Sequence, residues 1–77
     1  MRDKDSEKLA VKVIAELMRV RKEKGMSHET LAEMTGLSRA MISFVENDKR
    51  NPTLITCLKI AKALDVDFAK IINKANK

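Results

Sequence analysis

Ser27 and His28 stand side by side, a pairing that raises nucleophilic catalysis. Neighbours in the first turn of a helix point in different directions, and no carboxylate is placed by the sequence to orient the imidazole, so catalysis is not expected. One Cys and one His are too few for a metal site, which needs about four ligands. Neither a P-loop nor a dinucleotide-binding glycine fingerprint is present. The sequence therefore calls for no enzyme activity, no cofactor, no metal and no small-molecule ligand. What it offers is recognition chemistry. Arg39 carries a guanidinium that can donate two hydrogen bonds to guanine O6 and N7, the alternative being a phosphate or Glu29 as its partner. Ala40 presents a methyl group suited to a thymine methyl or to close approach, and Ser43 lies one turn further along. Phe44 has two readings, a core residue at i+3 from Met41 or a face for thymine methyls. Ser27 and His28 belong to a helix N-terminus, whose free N–H groups and dipole favour a phosphate, and Ser38 has the same character.

These side chains need two short helices to hold them. Ser27 is an N-cap and Glu29 complements the dipole in the first turn; Leu31, Ala32 and Thr35 recur on one face. Gly36 stops that helix in a left-handed turn, Leu37 plugs the corner, and Ser38 caps a second helix. In this second helix Met41, Ile42 and Val45 point inward, while Arg39, Ala40, Ser43 and Phe44 point out. Helix, short glycine-containing turn and helix, over about residues 28–47, is the pattern of a DNA-binding helix-turn-helix, with the second helix entering the major groove.

The remaining chain supplies a scaffold. Residues 1–5 are expected to fray, with Asp5 or Ser6 capping a first helix that runs to about Lys24 and closes at Gly25. Its core stripe is Val13, Leu17 and Val20, with Ala10 and Ile14 beside them, and Lys12, Arg19, Lys22 and Lys24 form a solvated face. After the loop DKRNPT, Thr53 caps a fourth helix from Leu54 to about Leu64, with Leu54, Leu58, Ala61 and Leu64 inward. Val66 returns to the core, and Asp67 caps a fifth helix through about Asn73 that carries Phe68, Ile71 and Ile72. The expected fold is all-α: one compact five-helix bundle formed by residues 1–77.

Bulk properties agree with that assignment. Seventy-seven residues make one small domain, and the scarcity of Gly, Pro and aromatic residues favours helices. Sixteen basic against eleven acidic residues leave a net charge of +5, which suits a polyanionic partner, nucleic acid first. A lone Cys excludes an internal disulfide and fits a reducing interior. No apolar run approaches the ~20 residues that cross a bilayer, and no signal peptide is visible, so a cytoplasmic protein with no membrane partner is expected.

At Leu31-Ala32, Gly36, Leu37-Ser38, Ile42-Ser43, Val45-Glu46, Lys49 to Pro52 and Leu58 to Leu64 the sequence resembles the Cro/CI (XRE-like) helix-turn-helix repressors. The similarity reaches back to Arg21 and on to Ile71. It implies a lambda-repressor-like bundle, a DNA contact at the position of Phe44, and backbone contacts from Asn47, Lys49 and Arg50. It also implies an ion pair between Arg21 and Glu46. Four positions depart from the family pattern: His28 stands where Gln is usual, Asp48 where Gly is, Met18 where a basic residue is, and Ile55 where a polar one is. Met18 and Ile55 suggest a self-association surface, and a two-fold dimer places it away from the DNA face, at Ile55, Phe68, Ile71 and Ile72. The resulting expectation is a homodimeric regulator, repressor or controller protein, binding an inverted repeat in double-stranded DNA. The alternative from another class is a protein-interaction module or antitoxin. In that case the helix-turn-helix face or the carboxyl-terminal helices would bind a protein.

Overall fold

The computed structural model describes residues 3–47 and 52–77. Five helices follow in order: α1 Asp3–Glu23, α2 His28–Thr35, α3 Arg39–Glu46, α4 Leu54–Ala63 and α5 Phe68–Ala75. The long α1 is the spine, packing against α3, α4 and α5, while α2 packs against α3 and α4. Leu17, Leu31, Ile42, Val45, Ile60 and Leu64 are the largest fully buried side chains, so every helix except α5 contributes one to the centre. Ile71 and Ala75 close the core from α5. Among the described residues no helix is long and apolar enough to cross a membrane.

The local signals for helix ends are used as hydrogen bonds. Ser27 Oγ accepts from the Thr30 N–H at 3.0 Å, Ser38 Oγ from Met41 at 3.0 Å, Thr53 Oγ1 from Thr56 at 3.1 Å and Asp67 Oδ1 from Ala69 at 2.9 Å. Gly36 takes φ 77° and donates its N–H to Ala32 O at 2.9 Å, the left-handed cap that frees the chain to turn into α3.

Several sequence expectations are corrected. Helix α1 begins by Asp3, so Asp5 and Ser6 lie inside it rather than capping it; its other end, at Glu23, agrees with the expected close at Gly25, which takes φ 68°. Ala10 is exposed, whereas Met18 is buried at 4% exposure and belongs to the core. In α4 the inward stripe is Cys57, Ile60, Ala61 and Leu64, while Leu54 and Leu58 are exposed. This helix is apolar nearly all round, so two stripes satisfy helical spacing. Packing against α1 and α2 selects the one that runs 57-60-61-64. Helix α5 continues past Asn73 to Ala75, and Ile71 turns into the core.

Candidate nucleic-acid interface

The α2–turn–α3 unit is held by more than its caps. The Thr35 hydroxyl donates to Leu31 O at 2.8 Å and accepts from the Leu37 N–H at 3.2 Å, tying the end of α2 to the corner residue. Leu37 is half-buried against the core. Ile42 and Val45 are buried and Met41 is half-buried, which fixes the rotation of α3 about its axis and turns Arg39, Ala40 and Phe44 to the surface. Arg39 makes no ion pair with Glu29 or any other described carboxylate. Phe44 is 44% exposed, which answers the two readings of that residue against the core. Ser43 is half-buried, and its carbonyl accepts from Asn47 Nδ2 at 2.9 Å, so the Asn47 amide folds back over the end of α3. Lys49 and Arg50, together with Asp48, lie outside the described residues.

Behind this face sits a buried charge cluster. Arg21, 8% exposed, donates from Nη1 to Met26 O at 2.6 Å and from Nη2 to Glu46 Oε1 at 2.7 Å. One guanidinium thereby fastens α1 to the loop entering α2 and to the last residue of α3. The second carboxylate oxygen, Glu46 Oε2, is in close contact with His28 Nε2. A carboxylate does orient the imidazole, contrary to the sequence expectation, though it comes from α3, and Ser27 Oγ is occupied as a cap. Burial pushes the Glu46 carboxyl up, but hydrogen bonds from Arg21 and His28 outweigh it and hold the group below the usual carboxylate range. Lys22 Nζ stands further out, 4.0 Å from Glu46 Oε1.

Arg19, expected on a solvated face, instead sits in an ion-pair cluster. Arg19 is engaged by Glu16 and Glu23 at 2.6 Å each, and Lys74 reaches Glu16 at 3.3 Å, joining α5 to α1. The Arg19 hydrogen bond holds the Glu16 carboxyl down at about 2 against burial, with Lys74 assisting. Sequence reading missed the Thr35 bond and the His28–Glu46 contact. A threonine directly before the stop glycine was a usable signal for the first, since its hydroxyl bonds the carbonyl one turn back. The second joins residues eighteen apart and had no local signal.

A two-helix unit of this geometry, carried on a five-helix bundle, defines a class, and comparison with known proteins agrees. The Helix-turn-helix family model matches residues 17–71. The chain belongs to that family, in its XRE-like (Cro/CI) form. The HTH-type transcriptional regulator SutR of Escherichia coli (strain K12) is 39% identical over 67 residues, covering 87% of this chain and 38% of SutR. The chain therefore spans well under half the length of that relative. Two solved restriction-modification controller proteins share the fold. C.AhdI from Aeromonas hydrophila is 40% identical with a TM-score of 0.73, over 80% of this chain and 94% of that one. C.Esp1396I, as a tetramer in complex with its natural 35 base-pair operator, is 36% identical with a TM-score of 0.78, over 87% and 92%.

Proposed function

We propose that this chain is a sequence-specific regulator of transcription that binds double-stranded DNA in the cytoplasm, as a homodimer on an inverted repeat. The observation that carries this reading is Arg39, exposed in the first turn of a capped and rotationally fixed α3. There it reads a guanine edge in the major groove, with Ala40, Ser43 and Phe44 lining the same helix toward the bases. Ser27, His28, Ser38 and Asn47 lie at helix ends and contribute contacts to the phosphate backbone, as do Lys49 and Arg50. Such contacts set register and affinity, and the base edges set the site. Occupancy is the mechanism: the bound dimer excludes or assists RNA polymerase according to where the operator lies.

The dimer surface lies on α4 and α5. Ile55 is 66% exposed and Ile72 is at the surface, with Phe68 half-buried between core and solvent. Leu54 and Leu58 extend the same apolar margin of α4, and Ile71 is withdrawn into the core. An isologous contact there buries these side chains against their own copies.

Selection of DNA fragments from the source genome on the immobilised protein tests the reading. Enrichment of one palindromic sequence, with affinity falling steeply as salt rises, is the expected result. Failure to enrich any sequence, with salt-insensitive retention of a protein instead, replaces it.

A further inference from the structure

His28 is the sole histidine of the chain and sits at the first position of α2, half-buried, with its Nε2 against Glu46 Oε2. Among the described residues, the charged and titratable groups around it are Arg21 and Lys22 from α1, Glu46 from α3 and Glu29 on its own helix. Arg21 already occupies the other oxygen of Glu46, so the carboxylate is ionised and acts only as an acceptor toward the imidazole. That contact consumes a hydrogen on Nε2. A neutral imidazole that satisfies Glu46 then has a bare lone pair on Nδ1, and the other neutral tautomer turns a lone pair toward the carboxylate. Only the imidazolium donates at both nitrogens.

We propose that DNA binding by this chain takes up a proton at His28: the imidazolium donates Nε2–H to Glu46 and Nδ1–H to a DNA phosphate. The inference rests on the reading of α2 as a backbone-contacting helix and adds the protonation state in which it does so. No bond other than N–H is made. The proton comes from solvent, the imidazole gains one positive charge, and the phosphate oxygen accepts the new hydrogen bond. Neutral His28 instead sets a lone pair against either the phosphate or the Glu46 carboxylate, so that one of the two contacts turns repulsive. Binding is accordingly stronger at lower pH, where an imidazole is more readily protonated, while Glu46, held below the usual carboxylate range, remains ionised.

The test is a titration of the full chain with a selected operator duplex and with a random duplex of equal length. Binding is measured from pH 5.5 to 8.5 at constant ionic strength, and calorimetry in two buffers of different ionisation heat counts the protons. Affinity for both DNAs should fall as pH rises, by up to about tenfold per unit, with net proton uptake between zero and one. Both DNAs respond because a phosphate contact carries no sequence information. His28→Gln should bind with an affinity that is flat over this range. His28→Lys, a permanent cation, should also be flat and retain binding at pH 8, an outcome that a purely structural role for His28 does not produce. Circular dichroism confirms the fold of each variant. A flat wild-type profile with DNA binding intact overturns the proposal and leaves the regulator reading standing, as does a slope that persists in His28→Gln. Absence of DNA binding at every pH overturns both.

Discussion

Glu46, the last residue of α3, receives the Arg21 guanidinium from α1 at 2.7 Å across twenty-five residues of sequence. Their side chains are only 16% and 10% exposed, so the pair is screened by protein rather than water. It joins the spine of the bundle to the end of the helix that meets DNA, and His28 closes on the same carboxylate from α2. Three helices therefore share one anchor.

Removal of that anchor should be costly. Glu46→Ala strands the buried Arg21 charge and should lower folding stability by about 3–5 kcal/mol. Glu23→Ala removes an exposed partner from Arg19, which keeps Glu16, and should cost about 0–1 kcal/mol. Urea denaturation of the two variants at pH 7 compares them; equal costs would show that the Arg21–Glu46 pair contributes no more than a surface bridge.

Acid should weaken the fold through the same two carboxylates. Glu16 and Glu46 bind protons less readily in the folded chain, Glu16 with a value lowered from 4.5 to about 2 and Glu46 with a lowered value. Their stabilisation is thus complete above the ordinary value of 4.5 and is lost as pH falls through the folded values. Denaturant melts between pH 7 and pH 2 should show stability declining below about 4.5. Glu16→Gln and Glu46→Gln should each be less stable at pH 7 and show a shallower acid decline. An unaltered decline in both variants would assign it to other carboxyls.

Arg39→Ala should remove a base reader without disturbing the bundle, because the side chain is exposed and pairs with no described carboxylate. The expected loss is about 1–3 kcal/mol on the operator, with relaxed preference at one base pair per half-site. Lys49→Ala should weaken operator and random DNA alike and flatten the salt dependence. Titrations on both DNAs separate the two. Equal losses for Arg39→Ala on operator and random sequence would make Arg39 a phosphate contact.

Ile55→Lys should shift the protein toward monomer without unfolding it, since the side chain is largely exposed and the substitution sets like charges across a two-fold axis. Sedimentation at several concentrations reads the change, with circular dichroism as the folding control. A variant as dimeric as its parent would move the interface, with exposed Val11 on α1 the next candidate. Met18, the other apolar departure from the family pattern, is buried and unavailable.

The helix-turn-helix was legible because its signals are local. Ser27, Gly36 and Ser38 act within one turn of themselves: a hydroxyl reaches the N–H three residues on, and a glycine adopts a left-handed φ at little cost. The buried Ile42 and Val45 share one helical face, so the outward placement of Arg39, Ala40 and Phe44 followed from a 3.6-residue period. Periodicity could not choose among apolar alternatives. Helix α4 has two stripes of acceptable spacing, and contact with α1 and α2 decided that Cys57 and Ile60 enter the core while Leu54 and Leu58 stay out. Met18 was buried for the same reason, by what packs against α1 rather than by its own type. The meeting of His28 with Glu46 belongs wholly to the tertiary structure. Eighteen residues separate them, and only the docking of α2 on α3 brings an imidazole to a carboxylate already held by Arg21. Local free energies specify caps, turns and faces; which faces meet, and which charges share a buried site, is set by the packing of all five helices together.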